Sequence, residues 1–193
     1  MDLVLASTSP YRRELLARLG VPFSVAAPEV DEASIQALFD AASAGELAEH
    51  LAMAKAVSVS RRQPQATIVG SDQVCVCGDR ILNKPGSANT AIEQLAFLAG
   101  KTHRLITAVC IWHEGALLRH RDVTTLTMLP LSRDQIERYV AADEPLDCAG
   151  SYKLESRGIG LFESIQSADH TAIIGLPLLA VASMLRDLGF AIP

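Results

Sequence analysis

Residues 3–16 read Leu3-Val4-Leu5-Ala6-Ser7-Thr8-Ser9-Pro10-Tyr11-Arg12-Arg13-Glu14-Leu15-Leu16. Leu3 to Ala6 is an apolar run that predicts a strand. Ser7-Thr8-Ser9 is a hydroxyl-rich turn, and Pro10 takes the first helical position. The stretch is a strand–turn–helix unit whose helix opens with two arginines. A helix start carries partial positive charge and unpaired N–H donors. Arginines there are disfavoured unless an anion sits opposite, and a phosphate can be shared by the N–H groups and both guanidiniums. The same residues also read as an ordinary helix start, with Ser9 as N-cap and Arg12 and Arg13 in solvent.

Outward from this unit, helix-like and strand-like segments mix without repeats or low-complexity tracts. Residues 10–19 form an amphipathic helix with Leu15, Leu16 and Leu19 on one side, ended by Gly20. Residues 21–27 predict a second strand. Residues 46–61 predict a long helix with Leu47, Leu51, Ala54 and Val57 among its apolar positions. Residues 66–70 predict a short buried strand, and 74–82 a hairpin turning at Gly78-Asp79. Residues 87–98 predict a helix closed by Gly100. Long β-rich segments follow at 102–112 and 117–129, around the turn Glu114-Gly115. Ser132-Arg133-Asp134-Gln135 is a capping box opening another helix. Residues 159–165 predict a strand, and 175–188 the closing helix, with Pro177 near its start. Residues 40–45 are the best candidate for a mobile connection. The class is α/β with a mixed sheet, because the adjacent long strands break a clean βαβ alternation.

The chain has 193 residues, 49% of them apolar, which suits a single domain, 1–193, with room for two lobes on a shared core. No apolar run reaches the roughly 18 residues of a membrane span. The amino terminus lacks the flanks of a secretory signal, so the expectation is a soluble cytoplasmic protein. A net charge of −5 argues against a broad grip on nucleic acid polymers but leaves room for a small phosphorylated ligand in a local basic pocket. Cys75, Cys77, Cys110 and Cys148 show no metal spacing and read as buried, reduced thiols. Neither a Rossmann nor a P-loop glycine pattern is present.

Several constellations could carry chemistry. Pro28-Glu29-Val30-Asp31-Glu32 places three carboxylates in four positions, suited to a hard divalent cation or simply to a solvated loop. Asp72, in Gly70-Ser71-Asp72-Gln73, follows an apolar strand at the end where α/β sheets place ligands; it reads as a metal ligand or general base, or as a turn-forming residue. Lys55 lies on an otherwise apolar helical stretch and must snorkel or find an anion. Lys84-Pro85-Gly86 sits in a turn, and either lysine could be ordinary surface. The glycine density from Cys148 to Gly160 suggests backbone passing close to a ligand or a tight bend. His103 reads as a packed or surface histidine rather than a base.

Taken together, these segments resemble the Maf-like nucleotide pyrophosphatases. The matching pieces are the opening motif 5–13, residues 28–32, Ala54-Lys55-Ala56, Gly70-Ser71-Asp72-Gln73, Lys84-Pro85, residues 144–152 and Gly175-Leu176-Pro177-Leu178. They run in order over nearly the whole chain. The resemblance implies a two-lobed α/β fold with an elongated mixed central sheet flanked by helices, like that of inosine-triphosphate pyrophosphatases. It implies hydrolysis of a nucleoside triphosphate between the α and β phosphates, assisted by a divalent metal (Mg, Mn or Co). Ser7, Arg12, Arg13, Lys55 and Lys84 would bind the triphosphate. Glu32 and Asp72 would hold metal and activate water, with Asp72 the proton acceptor.

Tyr11, Gln73 and Glu155 replace the residues of the branch that hydrolyses dTTP and UTP, and resemble the branch acting on 7-methyl-GTP. N7-methylation makes guanine cationic, and an aromatic face such as Tyr11 attracts a cationic ring by about 0.5–2 kcal/mol. A carboxylate such as Glu155 can accept from guanine N1–H and its exocyclic amine together, a donor pair that a pyrimidine lacks. Residues 33–45 match nothing usable, and Ser156-Arg157 extend the loop after Glu155. The rival readings are a pyrophosphatase of the dTTP/UTP type and a non-hydrolytic nucleotide sensor regulating cell division. A homodimer is the one protein partner this reading allows.

Overall fold

The structure, a computed structural model, describes residues 1–192. Its centre is a seven-stranded mixed sheet in the order β2 (Ser24–Val25), β1 (Leu3–Ala6), β3 (Thr67–Cys77), β5 (Thr102–His113), β6 (Ala116–Met128), β7 (Phe162–Gln166), with β4 (Arg80–Leu82) paired to β3 outside that path. Strand β1 (Leu3–Ala6) leads into helix α1 (Pro10–Ala17), N-capped by Ser9 with Pro10 in the first turn. Strand β2 is only Ser24–Val25, shorter than the expected 21–27. Helix α2 (Glu32–Gln36) occupies part of the segment that matched nothing in the sequence. Helix α3 is Ala44–Ser60. The preceding connection is not loose: Asp40 and Ser43 bond each other reciprocally, and Ala41 and Ala44 are buried.

Strands β3 (Thr67–Cys77) and β4 (Arg80–Leu82) follow, then helix α4 (Ala88–Leu98), strands β5 (Thr102–His113) and β6 (Ala116–Met128), and helix α5 (Arg133–Asp143). The Ser132 capping box is present in full. A 3₁₀ turn, Arg157–Leu161, replaces the start of the expected strand 159–165, and β7 is Phe162–Gln166. The expected closing helix is two pieces, α6 (His170–Ile174) and α7 (Leu178–Asp187), broken at Gly175-Leu176-Pro177. Proline cannot continue a helix, and Gly175 adopts φ 127°, so one helix cannot run through.

The main correction concerns β3. It is one continuous eleven-residue strand, not a short strand followed by a separate hairpin. Its ladder to β5 is unbroken from Ile68↔Trp112 to Val76↔Arg104. Gly70 and Asp72, both poor strand formers, hide it in the sequence. Asp72 is therefore mid-strand, and the alternation of a strand assigns its neighbours to opposite faces. Ile68, Val74 and Val76 join the cluster under α3, and Gly70 and Asp72 share that face. On the other face Val69 packs with α1 and α7, whereas Cys75 and Cys77 pack with α4 and α5. Ser71 and Gln73 separate those two apolar clusters, which makes the fold two-lobed.

Helix α3 buries Ala44, Ala48, Ala52, Ala56 and Val59, small residues that let it lie close on the sheet. The buried stripe is turned one position from the sequence reading, so Lys55 rather than Ala54 points inward. The closest approach is at Gly70, where a Cβ would collide with the Ala52 carbonyl and stand 2.7 Å from the Ala56 nitrogen. Among the described residues no helix is long and apolar enough to cross a membrane. Gly70→Ala should cost about 1–3 kcal/mol through overpacking, read as a lowered midpoint in denaturant unfolding. Undiminished stability would show that α3 is not seated on β3 as described.

Candidate active site

Parallel pairing builds the site. The last β1–β3 pair is Ala6↔Gly70, so the turn Ser7-Thr8-Ser9 and the start of α1 lie beside Ser71 and Asp72. The residues after β1 and those in mid-β3 line one cleft of about 500 Å³. Ser7 is buried there, its Oγ accepting from the Ser9 nitrogen at 3.1 Å.

At one end of the cleft Lys55 reaches across from α3. Its Nζ lies 2.5 Å from Asp72 Oδ1 and 2.8 Å from Glu32 Oε1. Lys55 and Asp72 are nearly enclosed, with side chains 7% and 11% exposed, whereas Glu32 is half-exposed at 53%. The sequence assigned Lys55 to phosphate; here it bridges the two carboxylates. Arg12 stands nearby, its Nε donating to the Gly175 carbonyl at 2.9 Å. The Ser71 hydroxyl reaches the same carbonyl at 3.0 Å and the Ala108 carbonyl at 2.8 Å. Burial pushes the Arg12 guanidinium below its ordinary pKa, and Asp72 and Glu32 oppose that push. The break between α6 and α7 thus anchors an arginine of α1 beside the carboxylates.

Gln73 faces the opposite side of the sheet. Its Nε2 lies 2.9 Å from each of Thr107 Oγ1, the Ala172 carbonyl and the Ile173 carbonyl. Those acceptors occupy the amide nitrogen, and Gln73 lines the cleft. At the far end, Tyr11 donates to Asp147 Oδ1 at a long 3.5 Å, and Lys153 Nζ lies 6.0 Å from the Tyr11 ring centroid. Burial, then Cys148, Asp147 and Glu155, raise the Tyr11 hydroxyl well above its ordinary value. Glu155 sits at this rim. Desolvation raises its carboxyl above the ordinary value, Asp147 and Asp143 add to the shift, and Lys153 opposes it.

Not every expected residue converges. Lys84 is exposed on the cleft rim, after β4. Arg13 is exposed on the outer face of α1 and lines no part of the cleft; successive helical residues point about 100° apart, so Arg12 and Arg13 cannot both face inward. Glu29 pairs with Arg62, and Asp31 caps α2 through the Ser34 nitrogen at 3.1 Å. Of the acidic trio only Glu32 reaches the site. The sequence reading gave no role to Asp147 and Tyr152, which line the cleft, Asp147 just before the glycine-dense segment and Tyr152 within it.

The cysteines are free. Burial pushes Cys75 up to about 12 and Cys110 up to about 11, which keeps them as thiols. Cys148 is only half-buried, against expectation, and burial with Asp147 holds it at about 12. His103 is a packed histidine: Nε2 lies 2.9 Å from the Tyr152 hydroxyl, and burial pushes it down to about 4.

Two hard oxygen donors converging on one cation fit a divalent metal. Among the described residues no group of three or more His, Cys, Asp or Glu could hold a metal ion. Glu32 and Asp72 are the two cleft carboxylates that could hold such an ion.

The Maf-like protein family model matches residues 2–188 of this chain. A 7-methyl-GTP pyrophosphatase of Xanthomonas campestris is 46% identical over 192 residues, covering 99% of this chain and 98% of that protein. A protein of the same name from Pseudomonas putida is 42% identical over 195 residues, covering both chains in full. A third, from Bdellovibrio bacteriovorus, is 45% identical over 186 residues, or 96% of each chain.

Lys55→Met should destabilise the fold by about 3 kcal/mol, because it leaves a nearly enclosed carboxylate without its partner. Denaturant unfolding checks this; a loss below about 1 kcal/mol would show that the ammonium does not hold Asp72 and Glu32 together.

Proposed function

This chain belongs to the Maf-like protein family, and from that premise we propose that it hydrolyses 7-methyl-GTP to 7-methyl-GMP and pyrophosphate, as the names of its relatives suggest. One observation carries the reading: a single cleft holds a cation-bridged carboxylate pair at one end and an aromatic ring beside acidic side chains at the other.

Water attacks the α-phosphorus, the bond to the α–β bridging oxygen breaks, and pyrophosphate leaves. Asp72 orients the water and takes its proton. Lys55 occupies Asp72 Oδ1, which leaves Oδ2 for that role. Arg12, Lys55 and Lys84 stabilise the phosphate charge, with the Ser7 hydroxyl at the turn. Arg13 adds only long-range charge from outside the cleft wall. Glu32 and Asp72 would hold the divalent cation (Mg, Mn or Co), which when bound supplies Lewis-acid charge to the phosphate oxygens. Tyr11 stacks on the cationic base, Glu155 accepts from its N1–H and amine, and Gln73 offers Oε1. The whole chain acts as one domain in the cytoplasm on a free nucleotide, without nucleic acid polymer or membrane, as a monomer or a homodimer.

Asp72→Asn, with its fold retained, should lower kcat by about 10²–10⁴ in a pyrophosphate-release assay. Near-normal turnover would rule Asp72 out as base. A panel of 7-methyl-GTP, GTP, dTTP and UTP with Mg²⁺, Mn²⁺ or Co²⁺ tests the substrate. Activity should favour 7-methyl-GTP and vanish with chelator, and combining Tyr11→Arg with Glu155→Gln should move preference toward pyrimidines. Binding of every nucleotide without hydrolysis would instead support a sensor.

The pH profile gives a separate check. Glu155 must be ionised to accept both base donors, and its carboxyl is shifted upward. The kcat/KM for 7-methyl-GTP should therefore fall as pH drops through a midpoint above the ordinary glutamate value of about 4.3. Glu155→Gln should remove that component of the acid limb.

A further inference from the structure

The loop that carries Glu155 is not held by Glu155 itself. It is clipped from both sides to the last turn of α5. Tyr139 and Asp143 are four residues apart there, so they share one helix face. The Tyr139 hydroxyl accepts from the Lys153 nitrogen at 2.8 Å. The Asp143 carboxylate, with its side chain only 3% exposed, accepts from Ser156 Oγ at 3.1 Å and from the Arg157 nitrogen at 3.0 Å. The Asp143 carbonyl also accepts from Lys153 Nζ at 3.1 Å. Two contacts from Lys153 thus precede Glu155, and one each from Ser156 and Arg157 follow it.

The loop also closes on itself. The Ser156 and Gly158 nitrogens both donate to the Lys153 carbonyl, at 3.2 Å and 3.0 Å. A Cβ at Gly158 would collide with that carbonyl oxygen and stand 2.8 Å from its carbon, so the closure requires glycine. Ser156 and Arg157, which extend the loop beyond anything the sequence could align, are the residues that grip Asp143.

We propose that Asp143, together with Tyr139, is the positioning residue of base recognition: it fixes the Glu155 loop so that the carboxylate is aimed before the nucleotide arrives. The proposal rests on the reading of Glu155 as the acceptor of the guanine donors. An aimed carboxylate need not lose loop freedom on binding, and that freedom would otherwise be lost at the expense of affinity for the base. Neither Tyr139 nor Asp143 lines the cleft. Their effect therefore falls on the base and not on the phosphates.

The test compares Asp143→Asn, Tyr139→Phe, Glu155→Gln and the Asp143→Asn/Glu155→Gln double variant. For each, kcat and KM are measured on 7-methyl-GTP and UTP, together with the affinity for 7-methyl-GMP and inhibition by inorganic pyrophosphate. Asp143→Asn and Tyr139→Phe should raise KM for 7-methyl-GTP and weaken 7-methyl-GMP by about tenfold, with kcat and pyrophosphate inhibition nearly unchanged. The double variant should be little worse than Glu155→Gln alone, because both changes remove the same interaction. If Glu155→Gln loses selectivity while Asp143→Asn and Tyr139→Phe keep it, the positioning role is refuted and the Glu155 reading stands. If Glu155→Gln itself leaves selectivity intact, the base-recognition reading fails and takes this inference with it. Additive effects in the double variant, or a parallel loss of pyrophosphate binding, would also overturn it. Should Asp143→Asn fail to unfold cooperatively, Tyr139→Phe decides alone.

Discussion

The ammonium of Lys55, set between Asp72 and Glu32, is the interaction on which the rest depends. A nearly enclosed carboxylate in mid-strand is costly to leave unpaired, and two carboxylates facing each other cost more. The lysine resolves both, but only because α3 lies close enough on the sheet to deliver it. That closeness rests on alanines at 48, 52 and 56 and on the missing side chain at Gly70. Core packing and site electrostatics are therefore one constraint. A bulkier residue at position 70 would lift the helix and withdraw the cation together.

The opposite face of β3 shows a matching economy. A strand of continuous apolar residues there would merge the clusters of α1 and α7 with those of α4 and α5. Ser71 and Gln73 interrupt it, and each spends its polar atoms on the segment around α6: Ser71 on the Gly175 carbonyl, Gln73 on the Ala172 and Ile173 carbonyls. Thr107, paired in register with Gln73, donates to the Ala172 carbonyl as well. This polar belt keeps α6 against the sheet, and the Gly175 carbonyl in turn receives Arg12. The division into two lobes and the placement of the arginine follow from the same few hydrogen bonds.

Much of this was legible in the sequence, for identifiable reasons. The opening unit was readable because apolar strand, N-cap serine and first-turn proline are local signals, and all three hold. The Ser132 capping box was readable for the same reason. The continuity of β3 was not. Its Gly-Ser-Asp-Gln centre has turn composition and becomes strand only through pairing with β5, far along the chain. The α6–α7 break was half-visible in Gly175 and Pro177, but the need to anchor Arg12 there was not. In the site, the contacts between side chains were not legible: the resemblance places Lys55 at phosphate, and the structure sets its ammonium against Glu32 and Asp72. Arg12 and Arg13 looked equivalent in sequence, and helical periodicity separates them. Asp143 carried no signal, because its carboxylate's partners lie 13 and 14 residues further along the chain.

A protein of net charge −5 that takes a polyanion must arrange its charge locally. Along this cleft the arrangement is graded. Arg12 and Lys84 line the cleft as cations beyond Lys55, which is shared between two carboxylates. Toward Tyr11 the balance reverses, with Asp147 and Glu155 near the ring and Lys153 drawn off by the Asp143 carbonyl and by Asp147, 3.9 Å away. On the proposed function, the anionic tail of the nucleotide would lie toward Arg12 and its cationic ring toward Tyr11. On that proposal, a neutral pyrimidine has the tail but would gain nothing from the acidic end, and its ring would leave Glu155 without donors. Discrimination in such a site comes from what the wrong base leaves unpaired as much as from what the right base gains.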